Sequence, residues 1–227
     1  MNDKVELNFF YLHINDAEKF CDLAKKETSK LKSFYARHAI LSVVFATEAL
    51  INRVLDDFLL PSISTKNIEK LSTFDKWIIA PFVCGKKIPV GTPFDKSKEP
   101  FQSLKELIRI RNWLVHPKPG EYLDARKSDD IITMAETGQE IPWVDTLQGA
   151  QWPQTGIPLN PFEIDENDAQ KAFDTLNLIV DELLSVFYEI IDKEWLEELN
   201  LETKNGEKEK ISIDSLWGGY TPKETNG

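Results

Sequence analysis

The sequence predicts an all-α fold: a bundle of about five helices with a loop or small β insertion ahead of a last long helix. Three observations carry that expectation. Apolar residues recur at helical spacing through most of residues 16–116 and again from 166 onward. Ser33–Leu60 is apolar on nearly all sides, as the central helix of a bundle is. Between Lys118 and Pro161 the period is lost among Gly, Pro, Asp and Gln. The 227 residues therefore divide into a helical domain over 1–200, with an insertion at about 118–161, and a mobile Lys/Glu/Gly/Asn-rich tail over 201–227.

Taken in order, the first expected helix is Asp16–Lys32, with Ala17, Phe20, Leu23, Ala24 and Leu31 as its apolar stripe. The second is Ser33–Leu60, stopped by Pro61. His38, Glu48 and Asn52 share an arc with Leu41, Phe45 and Leu55 there. Such residues are either hydrogen-bonded core polars or parts of a site. A shorter helix is expected over Thr65–Ile79, with Ile68, Leu71, Phe74, Trp77 and Ile78 apolar, and a Pro/Gly/Lys-rich loop over Pro81–Pro100. Phe101–Val115 follows as a helix that ends near His116, because a residue before proline avoids the helical region. In the insertion, Ile131–Met134 and Ile141–Val144 read as β-like runs with one hairpin. The last helix is expected over Glu166–Leu199, capped by Asp165, with Ile211–Trp217 a segment that docks.

Composition narrows the function classes. Acidic residues outnumber basic ones, 38 against 27, for a net charge of −11. That excludes a general nucleic-acid coat or a membrane-surface protein, whose affinity rests on spread positive charge, but leaves room for a small basic site. Two distant cysteines and three histidines in no ligand-like spacing argue against a metal site. The N-terminus does not read as a signal peptide, and the apolar stretches Ala39–Ala46 and Trp77–Cys84 are too short to span a bilayer. The expectation is a cytoplasmic protein with no membrane partner and no cofactor.

The stretch Leu107–Gly120, LIRIRNWLVHPKPG, carries the candidate chemistry. On a helix of about 100° per residue, Leu104, Leu107, Ile108, Leu114 and Val115 form one arc with Arg111 near its middle. Trp113 points the opposite way. A permanent charge where the pattern asks for leucine needs an acid, a phosphate or a watery cleft. Asn112 and His116, at i and i+4, flank the same arc, with Arg109 beside them. Spacing alone is a weak signal: pairing with Glu48 within the bundle is an alternative answer for Arg111, and the last helix carbonyls are one for His116.

The segment Ile110–Pro117, IRNWLVHP, resembles the Arg-Asn-x-x-x-His motif of HEPN domains, all-α bundles of prokaryotes and higher eukaryotes. FATEALIN (Phe45–Asn52), FDKWIIAP (Phe74–Pro81) and FQSLKELIRIRN (Phe101–Asn112) are similar to segments of prokaryotic members, so the resemblance covers roughly Ser33–Lys118 plus the last helix. Arg109 also lies within motif distance of His116, but only Arg111 has Asn directly after it. The resemblance implies a metal-independent RNA endonuclease of the toxin or phage-defence kind, working as a homodimer, with an antitoxin or other protein as a further partner. Arg111, Asn112 and His116 would be catalytic, and Arg109, Lys118, Glu48, Asn52 and His38 would bind substrate or support the site. Two alternatives stay open: a non-catalytic HEPN-like module that binds RNA, a nucleotide or a protein, and a helical adaptor in which Arg111 is a structural ion pair.

Overall fold

The computed structural model describes residues 9–84, 94–116 and 149–187, with Ile191 and Trp195. They form six helices: α1 (Phe9–Lys26), α2 (Leu31–Phe58), α3 (Thr65–Ile68), α4 (Thr73–Val83), α5 (Phe101–Val115) and α6 (Glu166–Val186). Among the described residues there is no strand beyond two isolated bridges, so the all-α bundle is as expected.

α1 and α2 form an antiparallel hairpin. The ring of Phe20 lies 5.4 Å from His38, and that of His13 lies 5.4 Å from Phe45, so residues seven further back on α1 meet residues seven further on along α2. α1 starts earlier and ends sooner than Asp16–Lys32. Its buried residues, Phe10, Ile14, Ala17, Cys21 and Ala24, keep a strict seven-residue repeat that runs back into the aromatic-rich start. Leu23 and Leu31, expected on the stripe, are exposed. The helix stops where the Glu27 carboxylate accepts the backbone N–H groups of Thr28 and Ser29, at 2.9 and 2.8 Å.

α2 is the central helix, packed by α1, α4, α5 and α6. Ala36, Ala39, Ile40, Val43, Val44, Ala46, Leu50, Ile51 and Val54 are fully buried, and the alanines let neighbouring helices approach closely. As a whole helix, rather than as its longest apolar run, α2 is long and apolar enough to cross a membrane: an 18-residue window has mean hydropathy 1.4. A bundle's core helix passes the same test, and 61% of that window is buried inside the protein.

The single helix expected over Thr65–Ile79 is two. Ser72 interrupts it and caps α4, its hydroxyl accepting the Asp75 N–H at 3.1 Å and donating to the Asp75 carboxylate at 2.6 Å. α4 then runs through Pro81 to Val83, beyond the expected loop start, at the loss of one backbone hydrogen bond. α5 has the expected bounds, with His116 leaving helical geometry at φ −130° and ψ 63°. Trp77, Phe94, Phe101 and Phe187 make the aromatic part of the core, with neighbouring centroids 4.8–6.3 Å apart.

Asp165 caps α6 as expected, accepting from the N–H groups of Asn167 and Asp168, while the Asp168 carboxylate accepts the Asp165 N–H. The expected stripe from Ala169 to Leu183 is buried. Beyond Val186 the Ile191 N–H still donates to the Phe187 carbonyl at 2.8 Å, and most of the expected stretch up to Leu199 lies outside the described residues. Of the insertion, residues 149–161 are described. They close a tight turn, with Trp152 N–H on the Ile157 carbonyl and Leu159 N–H on the Ala150 carbonyl, at 2.8 and 2.7 Å. Gly156 sits in it at φ 65°, where a side chain would be strained. Ile157 is fully buried, so this end of the insertion belongs to the core. The β-like runs Ile131–Met134 and Ile141–Val144, the segment Ile211–Trp217 and the tail 201–227 lie outside the described residues.

Candidate functional site

The polar residues of α2 form a seam, and two cations come to it from other helices. Arg111 Nη2 of α5 donates to Glu48 Oε2 at 2.9 Å. One turn on, Lys76 Nζ of α4 donates to Asn52 Oδ1 at 2.8 Å. The Arg111 guanidinium also lies 5.6 Å from the Phe45 ring centroid, within cation–π range. Its Nε is buried with no hydrogen-bond partner among the described residues. The pair is not fully enclosed, the side chains of Arg111 and Glu48 keeping 19% and 35% of their exposure. Arg111 therefore has both answers that its place on an apolar arc called for, an acid and a partly open edge.

The rest of the motif faces outward. Asn112 and His116 are exposed, and no hydrogen bond joins the side chains of Arg111, Asn112 and His116. Val115, expected on the apolar arc, is 41% exposed. Ile108, Arg111 and Val115 thus form a partly open stripe at i, i+3 and i+7. Trp113, expected to point away from the core, is buried. The insertion makes a second covered flank on that side. Glu106, only 5% exposed, accepts the backbone N–H groups of Gln154 and Thr155 at 3.0 and 2.6 Å. The Arg109 guanidinium lies 5.8 Å from the Trp152 ring centroid.

Of the remaining predicted residues, Arg109 is engaged on that second flank, away from the seam. His38 is about 15 Å along α2 from Glu48, at 1.5 Å per residue. Its ring packs 4.0 Å from Phe34 with Nδ1 2.8 Å from the Phe34 carbonyl, so it belongs to the hairpin and not to the site. Lys118 lies outside the described residues.

Three residues near the site were not singled out in the sequence. His13 packs on Phe45, the ring that the Arg111 guanidinium overlies, and burial pushes its pKa down, with Asp16 opposing. Lys76 is 8% exposed and falls in the buried run Thr73, Lys76, Trp77, Ala80 of α4. Glu106 falls in the run Glu106, Ile110, Trp113 of α5. The test that found Arg111, a charge at an apolar helical position, finds both of these. His13 carries no such signal, since it is defined by a ring contact between two helices.

Among the described residues no group of three or more His, Cys, Asp or Glu side chains is placed to hold a metal. The arrangement offers one half-open guanidinium on a carboxylate, with an exposed amide and an exposed imidazole at the adjacent helix end. No protein-family model, no curated protein and no solved structure matches the chain, so the likeness to HEPN domains rests on the motif and the helices around it.

Proposed function

We propose that this protein is a HEPN-type RNA endonuclease acting in the cytoplasm as a homodimer, a toxin or phage-defence effector, with Arg111, Asn112 and His116 at the site. The observation that carries the reading is the last turns of α5, where the stripe Ile108–Arg111–Val115 stays partly open beside exposed Asn112 and His116. A second copy laid against that stripe would cover Val115 and bring two motifs to one cleft. In-line displacement at phosphorus wants a base and an acid on opposite sides, and two copies of His116 supply them. One imidazole takes the proton from the 2′-hydroxyl, whose oxygen attacks the adjacent phosphorus. The phosphorus–5′-oxygen bond breaks and the other imidazolium protonates the leaving oxygen. Arg111, with guanidinium donors beyond the one on Glu48, neutralises the phosphoryl oxygens. Glu48 sets its direction.

Purified protein in EDTA is expected to cut RNA, leaving 2′,3′-cyclic phosphate and 5′-hydroxyl ends. His116→Ala and Arg111→Ala are each expected to lower the rate by at least about a hundredfold. Cleavage that persists in both variants rejects the reading. The bond between Arg111 and Glu48 favours a second one, a non-catalytic binding module or adaptor in which that pair is structural. It predicts RNA or partner binding without cleavage, indifferent to His116→Ala.

A further inference from the structure

Beyond the motif, the same face of α2 continues into a cavity. Asn52, Leu55, Asp56 and Leu59, at i, i+3, i+4 and i+7, form one wall. Thr65 and Ile68 of α3, Glu69 directly after it, and Lys76 of α4 complete the lining. The cavity is half open to solvent and its volume is about 260 Å³. Ligand sites usually run from about 300 Å³ upward, so the cavity suits a molecule smaller than a nucleotide.

Its charges are arranged unusually. Lys76 is 8% exposed, yet its ammonium is bonded to a neutral amide oxygen, that of Asn52 at 2.8 Å. Among the described residues no carboxylate forms an ion pair with it. A buried cation is stabilised by an anion that it lacks here. Asp56 and Glu69, exposed and without ion pairs among the described residues, line the same cavity. Two carboxylates there repel phosphate and other purely anionic ligands. A purely cationic ligand would leave Lys76 unanswered. A molecule bearing both signs answers all three groups, and buried Leu55 and Ile68 offer it an apolar wall.

We propose that this cavity is a binding site for a small zwitterion, an aliphatic α-amino acid whose carboxylate meets Lys76 and whose ammonium meets Asp56 and Glu69. The site is independent of the nuclease reading. Its lining residue Asn52 lies one helical turn from Glu48 on α2.

The experiment is a titration of the full chain with L-leucine, followed by amide chemical shifts and calorimetry. N-Acetyl-L-leucine, without the ammonium, and isoamylamine, without the carboxylate, are the controls. Saturable binding is expected, with shifts in α3 and α4. Each control should bind at least about tenfold more weakly, a difference of about 1.4 kcal/mol. The double variant Asp56→Asn/Glu69→Gln alters exposed side chains only. It should lose L-leucine binding by a similar factor while melting like the parent. Lys76→Met tests the buried end if it folds, and the N-acetyl and amine controls test the same charges without any substitution. The proposal is overturned if L-leucine, L-valine and L-methionine all fail to bind at about 10 mM. It is overturned equally if the controls or the double variant bind as well as L-leucine and its parent, or if the shifts map elsewhere. RNA cleavage by the double variant reads the other site, so either hypothesis can fail alone.

Discussion

Arg111 and Lys76 meet α2 one turn apart, and the difference between their partners sets what each can do. Arg111 has a carboxylate, but the Glu48 side chain keeps 35% of its exposure, so water can return to it if the guanidinium is removed. Half-open pairs contribute about 0–1 kcal/mol, and the buried stem of the arginine adds packing. Arg111→Ala is therefore expected to lower unfolding free energy by only about 1–2 kcal/mol in a urea titration. Loss of RNA cleavage in a variant that still folds would then report on the site. A loss above about 3 kcal/mol is the signature of an enclosed ion pair, and would favour the adaptor reading. Arg111 was legible as a charge at an apolar helical position, and Lys76, not singled out in the sequence, passes the same test. Their partners were only half legible: the arc Glu48–Asn52 marked two acceptors, while the pairing depended on how α4 and α5 cross α2.

At the scale of elements, the insertion is anchored where its backbone meets a buried carboxylate. Glu106 accepts the amides of Gln154 and Thr155, holding the tight turn against α5 and burying the flank that carries Trp113. Glu106→Ala leaves those amides without their acceptor and opens a small void, at a cost of about 2–4 kcal/mol. Faster hydrogen exchange at Gln154 and Thr155 is expected, with slower change along α2. Unchanged exchange at those two amides would show that the turn holds itself. Capping chemistry made α6 legible, since Asp165 before an apolar stripe is a local signal. Ser72, an equally local one, divides α3 from α4, and the apolar spacing across it conceals the break. α1 began earlier than expected because its seven-residue repeat continues into an aromatic stretch with little polar contrast.

Across the whole molecule, one continuous core joins all six helices, with Ile157 of the insertion and Ile164 just before α6 among its fully or nearly fully buried members. Its integrity can be read chemically. Burial pushes the Cys21 thiol up to about 11 and the Cys84 thiol up to about 12, so neither is a thiolate near neutrality. Native protein at about pH 8 is expected to leave both unreacted with a disulfide reagent, and denaturant to release both together. Release of one thiol before global unfolding would show that α1 or the end of α4 opens separately. The sequence by itself determined the all-α bundle, the central place of α2 and the anomaly at Arg111, because helical period and charge placement are local properties of the chain. Only the tertiary structure decided that Arg111 meets Glu48, that His38 and Arg109 belong elsewhere, and that Lys76 shares a cavity with two carboxylates. Those outcomes depend on which helices cross and at what height, and no spacing within a single helix encodes that.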